Sequence, residues 1–253
     1  MNYGLYLSAA GMLTNMYRQD VAANNLANAQ TPAFKRDLAL LRRRQPESVE
    51  GFTPEDAHAL LDRLGGGVLA DRTRVDLTNG PLKKTGNDLD LALQGNGFFR
   101  IQTEDGVRLT RDGRFTLDPK NSHLMTTNGG HAVLDATGNP ITLDPTAQAL
   151  VDETGVIRQN GAAVARIGLL NVDADDLTQH GQGFFEASDA ALKNASTGDA
   201  RVHQGYLEQS NVDPVMQMLE MIGASSAISA NANMIRYHDL VMDRAANVLG
   251  RVA

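Results

Sequence analysis

The sequence predicts an α+β fold: long N- and C-terminal helices pairing as a coiled coil, with a β-rich middle domain. Three observations lead to this prediction. A heptad-like spacing of apolar and small residues runs through residues 1–28, a second seven-residue spacing runs from 221 to 249, and Asn-Gly and Asp-Gly pairs punctuate the stretch between them. We therefore expect four parts, an N-terminal helix and the motif after it (1–36), a connector (37–74), a β-rich domain (75–206) and a C-terminal helix (207–253).

The first 28 residues predict one helix with a narrow apolar face. Its apolar or small residues recur in alternating steps of four and three, interrupted at polar Gln19: Leu5, Ala9, Met12, Met16, Ala23 and Leu26. Gly4 and Gly11 weaken it as an isolated helix, and Pro32 ends it because proline disfavours helical backbone at the residue before it. This helix therefore needs a partner.

The connector, residues 38–70, contains a short predicted helix at about 54–64 and the flexible run Gly65-Gly66-Gly67. Its start carries a basic cluster, Arg42, Arg43 and Arg44, next to "FKRD". Such a cluster could meet an anionic lipid or peptidoglycan, but a solvated helix face is the simpler interpretation.

The middle of the chain predicts a β domain. Turn signals occur at Asn-Gly pairs 79–80, 96–97, 128–129 and 160–161 and at Asp-Gly pairs 105–106 and 112–113. The runs "LDLALQGNGFFRIQ" and "VRLTRDGRFTLD" predict successive antiparallel strands. "QGNGFF" and "HGQGFF" share Gly-x-Gly-Phe-Phe. This motif could form a pair of recognition loops, but two tight turns that deliver adjacent aromatic residues to the core are the simpler interpretation.

The C-terminal segment, from about 213 to 252, predicts a long helix that an Asn211 or Asp213 cap begins, with Pro214 in its first turn. Apolar residues fall every seven positions, and the predicted companions four residues further on are mostly small or polar. The first set is Met221, Ile228, Ile235, Met242 and Leu249, and the second is Ser225, Ala232, Asp239 and Ala246. A strip this narrow favours coiled-coil packing over a helix lying on a globular core.

Composition excludes several classes of function. The net charge of −7 argues against binding along a nucleic-acid backbone, and the absence of cysteine removes disulfides and thiolate chemistry. The six histidines lack metal-site spacing, "NVDADDL" lacks the pattern of a calcium loop, and no GxSxG elbow is present. We expect no enzyme activity, cofactor or metal. The N-terminus has no signal-peptide pattern and no apolar run long enough to span a membrane.

The residues quoted above carry a family resemblance. "SAAGMLTNMYRQDVAANNLANAQTPAFKRD" closely resembles the N-terminal signature of bacterial flagellar rod and hook axial proteins, with Ala33 where that family usually has glycine. "LDLALQGNGFFRIQTEDGVRLTRDGRFTLD" is similar to the family's middle block. The segment "GYLEQSNVDPVMQMLEMIGASSAISANANMIRYHDLVMDRAANVLG" resembles its C-terminal signature, departing at "GASSAIS". The three blocks cover about half of the chain.

The resemblance implies a structural subunit of the flagellar basal-body rod, the drive shaft between motor and hook. It implies export through the flagellar type III apparatus without a cleaved signal peptide, a periplasmic location, and helical assembly with copies of itself and other rod and hook proteins. The short body argues against the hook protein, which carries additional outer domains. The length suits either type of rod subunit, and the abbreviated connector after "AFKRD" slightly favours the proximal over the distal rod. The expected assembly interface comprises Leu5, Met12, Met16, Asn24, Asn25, Leu26, Asn28, Phe34, Met221, Ile228, Ile235, Met242 and Leu249.

Two other classes of function stay open at this point. The many Asn-Gly turns also suit a secreted β-rich binding or adhesion module, which would bind its ligand through residues 75–205 alone. A peptidoglycan-active enzyme would need a paired acid and base, and no such arrangement stands out in the sequence.

Overall fold

The computed structural model describes residues 2–44, 67–181, 183–188, 191–192, 196–198 and 200–249. These residues form two compact units. The first unit draws on 1–27, 37–74 and 213–253, and the second on 28–36 and 75–212.

The first unit contains the two long α-helices of the described residues, α1 (Asn2–Ala27) and α2 (Pro214–Leu249). Both agree with the helices that the sequence predicts. The backbone N–H of Val215 donates to Oδ1 of Asp213 at 2.9 Å, so Asp213 is the N-terminal cap, with Pro214 at the first helical position. The short strands of this part of the chain are β1 (Asp37–Leu38), β2 (Leu41–Arg43), β3 (Val68–Ala70) and β4 (Arg74–Val75).

The prediction that the terminal helices pair as a coiled coil is wrong, although α+β with a β-rich middle agrees with the structure. At two positions along α1, a glycine lies against a polar side chain of α2. An ideal Cβ placed on Gly4 would lie 2.8 Å from the ring of His238, and one on Gly11 would lie 3.1 Å from the amide of Asn231. Glycine lets the backbone of α1 approach these side chains closely, which a coiled-coil seam of apolar residues would not need.

The companion positions on α2 were also misassigned. Ser225, Asp239 and Ala246 are exposed, and Ala232 is half-buried. The covered positions instead include Ala224, which is buried. The sequence could not separate the two sets because both are small or polar.

The connector begins with a β pairing. Strands β2 and β3 are antiparallel, with Arg42 opposite Leu69 and Arg43 opposite Val68. The basic cluster was therefore wrongly predicted to lie on a helix: Arg42 and Arg43 are exposed strand residues. The predicted helix at 54–64 and Gly65-Gly66 lie outside the described residues.

The second unit is the β body, and all of its named strand pairs are antiparallel. Its strands begin with β5 (Leu82–Lys84), β6 (Leu91–Gln94), β7 (Phe98–Thr103), β8 (Gly106–Thr110), β9 (Phe115–Leu117), β10 (Leu124–Thr126) and β11 (Ala132–Val133). They continue with β12 (Ala149–Val151), β13 (Val156–Gln159), β14 (Ala162–Arg166), β15 (Leu169–Asn171), β16 (Leu177–His180), β17 (Phe184–Ala187), β18 (Ser196–Thr197), β19 (Arg201–Gln204) and β20 (Tyr206–Glu208). A 3₁₀ turn, Ala174–Asp176, precedes β16.

The described strands form a nine-stranded sheet and smaller groupings. The main path of the sheet runs β16-β17-β8-β7-β11-β10-β9, and β15 pairs with both β7 and β18. Strands β12, β13 and β14 form a three-stranded sheet, β19 pairs with β6, and β20 pairs with β5. The two runs predicted as successive antiparallel strands contain β7 and β8, which pair in that way. Strand β6, at the start of the first run, pairs with β19, with Leu93 opposite Val202.

The two Gly-x-Gly-Phe-Phe motifs supply both faces of the main sheet, as the simpler interpretation predicted. Phe99 and Phe184 belong to the larger buried cluster, whereas Phe98 and Phe185 belong to the smaller one. The rings of Phe98 and Phe185 lie 5.3 Å apart between centroids. Adjacent residues of a strand point to opposite faces, so each motif fills two cores at once.

The predicted turns are only partly hairpins. Asn160-Gly161 joins β13 to β14 with both φ angles positive, as a type I′ turn requires, and Asp105-Gly106 joins β7 to β8. Asn79-Gly80 instead contacts a buried carboxylate, since the N–H of Gly80 donates to Oε1 of Glu208 at 2.9 Å.

Candidate functional site

The interface residues predicted on α1 differ in their accessibility. Met16 has 43% of its surface exposed, and Asn24 is also exposed. Leu5, Met12 and Leu26 are half-buried. Asn25 is buried within the first unit, so its structural role is internal.

The predicted residues of α2 are also mixed. Met221, Ile228 and Ile235 are half-buried, whereas Met242 is exposed. Leu249 is the last residue of the helix, and its side chain is outside the described part of the chain.

A larger set of exposed apolar residues on α2 was not among the predicted interface residues. It occupies two stretches of the helix: Val215, Met216, Met218, Leu219 and Ile222, then Met234, Tyr237, Leu240 and Val241. Ile222 is 63% exposed and Tyr237 66%. Between the stretches, residues 223–233 are small or polar except for Ile228. Steps of three and four residues place Val215, Leu219 and Ile222 on one helical face, which α1 leaves uncovered.

Asn25 fastens the chain after α1 within the first unit. Its Nδ2 donates to the carbonyl of Asp37 at 2.9 Å, and its Oδ1 accepts from the N–H of Asp37 at 2.8 Å. Nδ2 also lies 3.2 Å from Oε1 of buried Gln217 on α2. This asparagine therefore satisfies both backbone hydrogen-bonding groups of Asp37.

The segment 28–36 belongs to the β body and contains a strained residue. The N–H of Thr31 donates to the carbonyl of Asn28 at 3.1 Å, and the N–H of Phe34 donates to the carbonyl of Thr31 at 3.3 Å. Phe34 is buried and Asn28 half-buried. Ala33 has φ +58°, a left-handed conformation that glycine adopts more readily. The position keeps the backbone geometry that suits glycine despite carrying alanine.

A buried ionic cluster joins this segment to the end of β20. The Nζ of Lys35 lies 2.6 Å from Oε1 of Glu208, and Nη1 of Arg111 lies 3.5 Å from Oε2 of the same carboxylate. The three side chains are 0%, 0% and 1% exposed. Lys35 also donates to the carbonyl of Thr78 at 2.7 Å, and Nη2 of Arg111 donates to the carbonyl of Gly95 at 2.7 Å. One carboxylate is therefore the shared ion-pair partner of two buried cations.

Burial controls the ionisation of this cluster. Removal from water lowers the pKa of Lys35, and the nearby Glu208 carboxylate opposes that shift. Burial likewise lowers the pKa of Arg111. The Glu208 carboxylate also opposes the lowering of the Arg111 pKa, so it favours the charged form of both cations.

Asn211 makes the second link in the β body. Its Oδ1 accepts from the backbone N–H of Arg36 at 2.8 Å, and its Nδ2 donates to the carbonyl of Asp76 at 2.9 Å. Arg36 also forms an ion pair with Asp76 at 2.7 Å. The pKa of Asp76 is lowered because hydrogen bonds from Thr78 and Arg36 outweigh the opposing effect of burial. Asn211 therefore links 28–36 to 76–78, and the helix cap is left to Asp213.

Sequence reasoning missed the ionic cluster. Lys35, Arg111 and Glu208 are far apart in the chain, and a lone charged residue is normally read as solvated. The available signal was that Lys35 and Glu208 lie inside the two terminal motifs, "AFKRD" and "GYLEQSNV". The described residues hold no grouping of side chains suited to a metal ion, and none of their helices is apolar over a length that would cross a bilayer.

Two family descriptions match the chain. Residues 92–159 match the flagellar hook protein FlgE/F/G D1 domain, and residues 203–248 match the C-terminal region of the flagellar basal body rod FlgEFG proteins. The first range begins in β6 and ends with β13, and the second runs from β19 through most of α2.

Full-length relatives agree with these matches. The chain is 34% identical over 262 residues to the flagellar basal-body rod protein FlgF of Caulobacter vibrioides, covering 100% of both chains. It is 31% identical to FlgF of Mesorhizobium japonicum, covering 99% of each. The flagellar basal-body rod protein FlgG of Bacillus subtilis is 28% identical, over 96% of this chain and 98% of its own. The chain therefore belongs to the flagellar basal-body rod protein family, and it is a structural subunit of the rod.

Proposed function

We propose that the chain is a FlgF-type subunit of the proximal rod and that it joins its neighbours through the exposed apolar residues of its terminal helices. The relatives of FlgF type support the first part, since they match the whole chain at 34% and 31% identity, against 28% for FlgG of Bacillus subtilis.

The exposed face of α2 is the observation that carries the second part. Exposed apolar side chains in this number on one helix are unfavourable in water, and covering them removes apolar surface from solvent. Burying a side chain the size of Ile222 contributes about 1.5–3 kcal/mol. Several such residues in each copy would together hold subunits side by side, as a helical assembly requires.

The proposal includes the partners and route of the subunit. Copies of this chain and other rod and hook proteins would cover the helix faces in the periplasmic part of the basal body. The flagellar type III apparatus would export the chain without cleavage of a signal peptide. The subunit would act by mechanical support, without catalysis.

Substitutions on α2 test the helix part of the proposal. Ile222→Asp places a charge on the exposed face and should prevent incorporation into basal bodies, while the far-UV circular dichroism of the purified monomer stays unchanged. Ile228→Asp, at a half-buried position that faces the first unit, should impair both incorporation and helix content. Leu150→Asp is the matched control, because Leu150 is 56% exposed on β12 of the β body. Normal incorporation of Ile222→Asp, or equal loss with Leu150→Asp, would exclude the helix face as the assembly surface.

Electron cryotomography of cells that lack the gene tests the position in the rod. A short stump ending near the inner membrane is expected for a proximal subunit. A longer stump would place the subunit distally, and intact rods would exclude an axial role.

A further inference from the structure

The β body contains a cleft of about 310 Å³ whose charged lining is mostly arginine. Arg100 comes from β7, Arg166 from the end of β14 and Arg201 from the start of β19. These strands are far apart in sequence and belong to three different sheets. The cleft therefore exists only in the folded β body, and its volume is that of a site for a small group.

The charge of the cleft is opposite to that of the chain. Its lining holds three arginines and one acid, Glu153, in a chain of net charge −7. Nη1 of Arg201 lies 3.5 Å from Oε2 of Glu153, and both side chains are largely exposed. Water screens the attraction between them, so this ion pair is weak. Arg100 and Arg166 remain as an excess of two positive charges.

Arg100 also carries a buried donor that lacks a partner. Within the described residues its Nε is inaccessible to water and makes no hydrogen bond. A buried donor left without an acceptor costs about 1–3 kcal/mol, and native proteins rarely keep one. The described protein groups therefore leave the guanidinium of Arg100, a lining residue of the cleft, with unused hydrogen-bonding capacity.

We propose that this cleft binds carboxylate groups. A guanidinium presents its donors as a planar fork that matches the two oxygens of a carboxylate, and two such groups lining one cleft can hold one or two carboxylates. No residue of the cleft is part of the helix face or the ionic cluster described above.

The chain itself offers a source of such groups. The turn in "VDADDL", residues 172–177, exposes Asp173, Asp175 and Asp176. If copies stand side by side, which rests on the proposed function, the acidic turn of one copy supplies carboxylates to the cleft of the next. A free small dicarboxylate would satisfy the same chemistry.

Nuclear magnetic resonance titration of the full chain distinguishes these sources. The probes are the peptide acetyl-Val-Asp-Ala-Asp-Asp-Leu-amide, the same peptide with asparagine in place of each aspartate, and succinate. Amide shifts are expected for Gly168 and Leu169, which line the cleft. Binding should weaken at higher salt because the attraction is electrostatic.

Arg166→Gln provides the decisive variant, because Arg166 is exposed and its replacement is therefore expected to leave the fold intact. We expect it to weaken binding by about threefold to tenfold, the range of ~0.7–1.4 kcal/mol for a partly screened charge. Arg158→Gln is the matched control, since Arg158 is an exposed arginine on the adjacent strand β13 and is not part of the cleft.

Each outcome decides the proposal. Stronger binding of the acidic peptide than of succinate supports a protein segment as the source, and equal binding supports a free dicarboxylate. No binding of either probe, equal binding of the asparagine peptide, or equal loss with Arg158→Gln would overturn the proposal. None of these binding results depends on incorporation into the rod. The incorporation experiment therefore tests the proposed function separately.

Discussion

Replacing Glu208 by glutamine should destabilise the β body strongly. The substitution keeps the shape and an oxygen for the N–H of Gly80, but it removes the charge that balances Lys35 and Arg111. At an effective dielectric constant of 20, the separations of 2.6 and 3.5 Å correspond to gross attractions of about 6 and about 5 kcal/mol. The carbonyls of Thr78 and Gly95 continue to accept from the cations, so the expected net loss is about 3–5 kcal/mol, as for other broken buried pairs.

Urea unfolding followed by circular dichroism measures this loss, and hydrogen exchange of the β6 and β20 amides assigns it to the β body. Glu153→Gln is the matched control: its carboxylate pairs with Arg201 at 3.5 Å but is 65% exposed, so its loss should stay below about 1 kcal/mol. Adding Lys35→Met to Glu208→Gln should recover part of the stability, because one unpaired buried cation is removed. A loss for Glu208→Gln no larger than for the control, or no recovery in the double variant, would refute the reasoning.

Three further predictions concern other parts of the molecule. Ala33→Val should destabilise the β body by more than about 2 kcal/mol in urea unfolding, because a β-branched residue tolerates φ +58° poorly. Ala33→Gly should stay within about 1 kcal/mol of the native chain. Equal effects of the two variants would show that the backbone at residue 33 is not strained. A methyl group added at Gly223 on α2 would meet no other atom, so Gly223→Ala should raise thermal stability by up to about 1 kcal/mol. Gly11→Ala should raise it less, because its methyl group would lie 3.1 Å from an amide of the facing helix. Equal increases for the two variants would contradict the close approach at Gly11. Thr154→Val should raise the pKa of Asp152 towards its ordinary value in a carboxyl nuclear magnetic resonance titration, because the Thr154 hydroxyl is the main cause of the lowered pKa. The stability that this carboxylate contributes is present above the ordinary aspartate pKa and is lost as the pH falls through the lowered one, so the variant should lose less on acidification; an unchanged pKa would show that the hydroxyl has no such effect.

The two terminal helices could be predicted because their signals are local. The heptad-like spacing, Pro32 and the Asp213–Pro214 start are read from a few adjacent residues, and the structure places both helices within a few residues of the predicted ends. The β texture of the middle was predictable for the same reason, from turn pairs such as Asn160-Gly161.

The partners of these elements could not be predicted, because they depend on distant residues. The periodicity of α2 predicted that one helical face is covered, but it could not show which small residues lie on that face. The prediction named Ser225, which is exposed, whereas Ala224 is buried. The cleft arginines on three sheets and the pairing of Lys35 with Glu208 leave no local pattern. Charged residues in particular reveal burial only when their counterion is known.

The separation of Lys35 from Glu208 also fixes an order of events in folding. The two residues are 173 positions apart, and closing a chain loop of that length costs about 4–5 kcal/mol in entropy. Until residue 208 is in place, burying Lys35 would leave a cation without a counterion, so the segment 28–36 gains nothing by docking early. We therefore expect the N-terminal edge of the β body to remain open during synthesis and to close in one late step, when nearly the whole chain is available.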